Sequence, residues 1–168
     1  MKYREGRSLI KTGDLLALKH KRGWIWALVR IITRSEYTHT ATAVWLEEGL
    51  YAAEMSWSGN HLIPVSQYEV DFDVYTPPVG PRPQLAEAIY QRLRTRVPYG
   101  FIDLLWIVLY NLLHFKLPRD RGGLICSALS ALIYKDVGWV PRGMPRIPSP
   151  AALIRALNAH PKIRVTRG

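Results

Sequence analysis

The stretch Cys126-Ser127-Ala128-Leu129-Ser130-Ala131-Leu132-Ile133-Tyr134 comes shortly after the turn signal Gly122-Gly123 and opens on the only cysteine of the chain. An apolar run behind a Gly-Gly turn reads as a helix with the thiol in its first turn. Backbone N–H groups there lack helical partners and the helix dipole adds partial positive charge, so a thiolate is favoured over a thiol. A cysteine so placed is a candidate nucleophile. A lone cysteine is more often a small buried hydrophobe, so the choice rests on what the other residues supply.

The chain has 168 residues, 48% of them hydrophobic and 21% charged, and reads as one domain over 1–168 that can bury a core. One cysteine excludes an intramolecular disulfide framework and a zinc site built on several thiolates. His20, His39, His61, His114 and His160 show no metal-ligand spacing, so no metal and no cofactor is expected. The segment Met1-Lys2-Tyr3-Arg4-Glu5-Gly6-Arg7 is charged and lacks the apolar region of a signal peptide. Cytoplasmic synthesis is the expectation, with a partner or a phage-type route needed for any wall substrate. A net charge of +10 points to a polyanionic neighbour: nucleic acid, an anionic membrane surface or an acidic wall polymer.

Periodicity predicts an α+β domain. Lys11-Thr12-Gly13-Asp14 is a turn before a short strand, Leu15 to Leu18. From Gly23 to Thr33, Trp24, Leu28, Ile31 and Ile32 recur at helical spacing, giving an amphipathic helix with basic ends. The period then becomes two. Thr38 to Leu46 and Leu50 to Met55 read as a hairpin around Glu47-Glu48-Gly49, with His61 to Val65 and Val70 to Thr76 as further strands. Pro77 to Pro83 is a stiff loop, Gln84 to Arg96 a helix, and Ser149-Pro150 a cap and first residue for a last helix through Asn158. Phe101 to Leu117 is the most apolar segment. Interrupted by Asp103, Asn111 and His114 and short of the ~20 residues a membrane span needs, it reads as a buried helix, with a lipid- or substrate-facing helix as the alternative.

A thiol that attacks an amide or ester needs a base, and imidazole is matched to that proton near neutral pH. His20 lies in a basic run, His61 at a strand start, His114 near a helix end and His160 in the terminal loop. His39 begins a strand and shares one side with the small residues Ala41 and Ala43, which leaves room for a substrate. Glu54, an acid in an otherwise apolar strand, is the candidate to orient it. A two-residue turn at Glu48-Gly49 does not bring the pair together: it sets Ala43 opposite Glu54 and leaves His39 roughly 13 Å along the strand. A wider loop or a bulge must shift the register for the pair to form, so periodicity leaves the third member open.

In order and spacing these residues resemble the circularly permuted NlpC-like cysteine peptidases and amidases of papain-like fold, particularly the YiiX-like branch. Gly13-Asp14-Leu15-Leu16 is similar to the family's opening Gly-Asp and strand, and Ser35-Glu36-Tyr37-Thr38-His39 to its segment before the base. Ala53-Glu54 resembles the acidic third member, Pro98-Tyr99-Gly100 the segment before the nucleophile helix, Cys126-Ser127-Ala128-Leu129 the Cys-Ser-Glu-Leu motif, and Ile147-Pro148-Ser149-Pro150 the closing Ser/Thr-Pro. Ala128 departs from the pattern, standing where an acid is usual.

The resemblance implies an antiparallel sheet packed against helices, a nucleophile at a helix N-terminus, and a Cys126-His39-Glu54 triad that cleaves amide bonds in peptidoglycan peptides. The backbone N–H of Cys126 would hold the oxyanion, with Tyr99, Tyr37 and Ser127 as candidates for further oxyanion or substrate contacts. Two rivals remain: an acyl hydrolase or acyltransferase on lipids using the same triad, and a non-catalytic basic protein that binds nucleic acid or membrane.

Overall fold

Leu15, Leu16, Ala17 and Leu18 are all fully buried, so the strand they form is covered on both faces and belongs in the middle of a sheet. In the computed structural model, which describes residues 1–56, 58–79, 82–95, 126–141, 144–145, 148–157 and 160–167, this strand is β1, Leu15–Lys19. The other strands are β2 (His39–Leu46), β3 (Gly49–Ser56), β4 (Gly59–Pro64), β5 (Asp71–Tyr75) and β6 (Ile163–Val165). They form one six-stranded sheet in the order β4-β3-β2-β1-β5-β6, every neighbouring pair antiparallel. Five helices accompany it among the described residues: α1 (Tyr3–Gly6), α2 (Trp24–Thr33), α3 (Arg82–Arg94), α4 (Cys126–Asp136) and α5 (Pro150–Leu157).

Strand alternation sorts the core into two layers. Leu15, Ala17, Val44, Ala53, Met55 and Tyr75 meet Leu85 and Ile89 of α3, Leu129, Ile133 and Tyr134 of α4, and Leu153 and Leu157 of α5. Leu16, Leu18, Ala41, Ala43, Ala52, Phe72 and Val74 face the other way, under Ile10, Val65 and Tyr68. Each fully buried Leu, Ile or Phe contributes roughly 1.5–3 kcal/mol. Two loop groups hold the layers in place. Ser149 Oγ accepts the Ala152 N–H at 3.2 Å and caps α5, as Ser149-Pro150 predicts. Asp14, fully buried, accepts from Lys11 N–H (2.8 Å), Thr76 Oγ1 (3.2 Å) and Arg82 Nη1 (3.1 Å). Gly13 beside it has φ of +86°, and a Cβ there would lie 2.4 Å from Leu85 Cδ1. The Gly13-Asp14 pair is therefore a structural anchor.

One expectation is corrected. The β2/β3 turn is Glu47-Glu48: Leu46 pairs with Gly49, Trp45 with Leu50 and Ala43 with Ala52. Gly49, at φ +142°, closes the turn as the first residue of β3, and the small residues Ala43 and Ala52 meet in the core. The apolar stripe on α2, whose direction the spacing left open, points outward. Trp24, Leu28 and Ile31 are 78%, 43% and 72% exposed, and they face away from the sheet. The sequence reading missed α1 and β6, whose Ile163 and Val165 are buried between basic neighbours. No helix among the described residues is long and apolar enough to cross a membrane. The readings of Arg96, Tyr99, Phe101 to Leu117 and Gly122-Gly123 lie outside the described residues.

Candidate functional site

The β2/β3 ladder stops at Thr42 and Ala53, although β2 reaches back to His39 and β3 runs on to Ser56. The two strands part there. One step further along the same register, Ala41 faces Glu54, so His39 and Glu54 are diagonal neighbours on one face. Such a diagonal spans roughly 7–8 Å of backbone, within reach of two long side chains. His39 Nε2 and Glu54 Oε2 lie 3.0 Å apart. The ladder supplies the shift the pairing required, through a turn placed one residue earlier than expected.

Cys126, the first residue of α4, reaches the same opening. His39 and the backbone N–H groups of Thr40 and Ser127 stand beside its sulfur, and each favours the thiolate. Ala43 N–H points to β1 and bonds Asp14 O at 2.8 Å, so by alternation Thr40 N–H turns to the β3 side. The ladder has ended at that level, which frees this N–H for the sulfur. The Thr40 hydroxyl is fully buried and has no hydrogen-bond partner among the described residues.

The charges are mutually stabilised. Burial pushes the Cys126 thiol up, but the charge and hydrogen bond of His39 and the two N–H donors outweigh it and hold the thiol below its usual value. For His39, burial disfavours the cation, yet the Cys126 charge and hydrogen bond, followed by Glu54, raise its pKa above the ordinary histidine value. Burial likewise disfavours the Glu54 carboxylate, and His39, Tyr68 and His61 together lower its pKa. Cys126 and His39 each favour the charged form of the other.

Around the pair, Tyr68 and Trp26 carry no sequence signal, and His61 and His20 are residues set aside as bases on sequence grounds. Tyr68 Oη donates to Glu54 Oε2 at 2.6 Å, and His61 Nε2 lies 3.4 Å from Glu54 Oε1. His61 sits directly across from Glu54 in the β3/β4 register, a position the spacing from Ser56 to Gly59 could have revealed. Tyr68 follows β4 through a short helical turn and carries no periodic signal. His20 stacks on Trp26 with ring centres 4.4 Å apart and stands edge-on to His39 at 6.2 Å. Its Nδ1 lies 2.9 Å from Thr38 Oγ1. Burial, then the charge of His39, pulls the His20 pKa down to about 4, which leaves it neutral beside the charged imidazole.

Other expected contacts are engaged elsewhere. Tyr37 Oη donates to Asp73 at 2.7 Å and lies 2.8 Å from Tyr75 Oη, in a network with Lys19. Ser127 Oγ is buried and donates to Pro148 O, so Ser127 meets the sulfur through its backbone alone. Tyr99 lies outside the described residues. An open depression lined by Gln84, Glu87 and Asp136 sits at the opposite end of α4, roughly 15 Å from Cys126.

An α+β architecture with a six-stranded antiparallel sheet is compatible with a papain-like fold. The crystal structure of the metalloprotein YiiX from Escherichia coli O157:H7 (DUF1105) is similar over 94% of this chain and 97% of that chain, with a TM-score of 0.52 and 18% sequence identity. No family model matches the sequence, and no curated protein matches it. The likeness to YiiX is one of fold. Among the described residues, no group of three or more His, Cys, Asp or Glu is arranged to hold a metal ion.

Proposed function

We propose that this protein is a cysteine hydrolase acting on an acyl bond, with Cys126 as nucleophile, His39 as general acid and base, and Glu54 orienting His39. The observation that carries this reading is the single imidazole shared between a buried thiol and a buried carboxylate. The thiolate adds to the carbonyl carbon, and the imidazolium gives its proton to the leaving nitrogen as the carbon–nitrogen bond breaks. A thioester remains. Water, losing a proton to His39, attacks the thioester and releases the acid and the free thiolate. Glu54 fixes the ring through Nε2, and Tyr68 and His61 hold Glu54.

The substrate class we favour is an amide bond in peptides of a bacterial wall. Its support is the family resemblance together with a charge of +10, suited to an acidic polymer. From the cytoplasm, such a substrate calls for delivery by a partner or a phage-type route. A second reading, hydrolysis or transfer of a lipid acyl group by the same triad, is favoured by the exposed apolar face of α2, the helix whose inner side brings Trp26 to 6.5 Å from His39. A protein that only binds nucleic acid or membrane has no need of the charge-paired sulfur.

The test is release of new amino groups from purified peptidoglycan, run beside release of fatty acid from phospholipid vesicles, with Cys126→Ala as control. Amine release lost in Cys126→Ala supports the first reading, and acyl release lost in the same variant supports the second. An inert thiol and no turnover in either assay would overturn both.

A further inference from the structure

We propose that the outer face of α2 docks on an anionic phospholipid bilayer and so holds His39, at the inner side of the same helix, close to it. In a helix packed on a soluble core, positions i, i+4 and i+7 of the apolar stripe face inward. In α2 they are Trp24, Leu28 and Ile31, and they face out at 78%, 43% and 72% exposure, while Thr33 on the opposite side is buried. A contiguous apolar stripe left in water is unfavourable unless something covers it.

Charge complementarity identifies the occupant. The helix contains no acidic residue, and Arg22, Arg30 and Arg34 lie before, within and just after it. None of the three forms an ion pair among the described residues, whereas Lys21 is tied to Asp71 at 2.8 Å. An apolar stripe bordered by uncompensated arginines suits an interface that is hydrocarbon within and anionic at its surface, with Trp24 at the boundary. A second copy of this chain fits less well, because a two-fold contact would bring the same arginines together. Nucleic acid would leave Trp24, Leu28 and Ile31 without a complementary surface.

The docking face and the site share one helix. Trp26, on the inner side of α2, stacks on His20, and both rings stand edge-on to His39. Seating the outer face on a bilayer brings the catalytic imidazole within one helix thickness of the lipid headgroups, about 10 Å. This inference goes beyond the hydrolase reading and holds whether the bond cut is an amide or an ester.

The test uses the full chain as Cys126→Ala, so that turnover cannot enter, sedimented with vesicles of phosphatidylcholine alone or mixed with phosphatidylglycerol. Binding is expected to the mixed vesicles, to weaken with salt, and to fall at least roughly tenfold in Trp24→Ser/Leu28→Ser/Ile31→Ser with an unchanged circular dichroism spectrum. Arg22→Gln/Arg34→Gln, which leaves the apolar stripe intact, should lose the preference for phosphatidylglycerol. Equal binding by the serine variant overturns the proposal, as does no binding to either vesicle. A dimer of the parent chain that the serine substitutions dissociate, with no vesicle binding, overturns it in favour of self-association. Peptidoglycan and fatty-acid assays on chains with an intact Cys126 report separately on the hydrolase.

Discussion

His39 and Glu54 meet at 3.0 Å although they do not face each other across the sheet: each reaches diagonally over the gap that opens where the β2/β3 ladder ends. A regular ladder continued to the strand ends would use the Thr40 N–H for pairing. Left out of the ladder, that group lies beside the Cys126 sulfur and favours its thiolate.

Iodoacetamide should label Cys126 near pH 6. The folded-state pKa of the thiol is depressed, so the thiolate persists below the range where an ordinary cysteine is protonated. In His39→Ala burial is opposed only by the Thr40 and Ser127 N–H groups, so the thiol moves up and labelling at the same pH should drop by roughly tenfold or more. Equal rates in the two proteins, by mass spectrometry of quenched aliquots, would contradict a His39-stabilised thiolate.

Tyr68→Phe removes one of the donors to Glu54, and the carboxylate pKa should rise. Losing a hydrogen bond to a charged group costs about 1.5–3 kcal/mol at most. The fold should survive. Turnover should fall a few-fold, with the acid limb of the pH-rate profile displaced to higher pH. A profile that only scales down, without displacement, would mean that Tyr68 supports packing and not the carboxylate.

His20 supplies a stability prediction with a definite sign. Its folded pKa of about 4 lies below the ordinary 6.5, so the unfolded chain binds the extra proton between those values. Its contribution is present above about pH 6.5 and is lost as pH falls toward about 4. With His20 only partly buried, that loss should be about 1–2 kcal/mol after allowance for solvent screening. Urea midpoints across this range should fall more steeply in the wild type than in His20→Gln.

Asp14→Ala should destabilise without touching the chemistry. The carboxylate is fully buried and gathers Lys11 N–H, Thr76 and Arg82. Its loss strands these donors, at a cost of about 2–4 kcal/mol, kept from the upper end because Arg82 can rehydrate. Thermal unfolding should show the drop, while iodoacetamide reactivity of the folded fraction stays at the wild-type level.

Much of the fold could be read from period and punctuation. The buried run Leu15 to Leu18, the alternation in β2 and β3, and the Ser149-Pro150 helix start all arise from local physics that the folded chain keeps. The His39 and Glu54 candidates came from residue chemistry in strand context, but their meeting depended on turn placement. A one-residue move of a turn shifts the register by two, which period-two reasoning cannot detect because both registers keep the same faces. The outward stripe of α2 was equally hidden: spacing shows that a helix has an apolar side, not which way that side points. Tyr68 and the His20–Trp26 stack come from distant loops and helices brought together only by tertiary packing.

Because Cys126 is the only cysteine in the sequence, an oxidised sulfenic acid at that position would find no second thiol in its own chain to condense with. Recovery from peroxide would then depend on an external reductant such as a small-molecule thiol. Inactivation by dilute peroxide should accordingly be reversed by dithiothreitol at first, and become permanent once further oxygen is added to the sulfur.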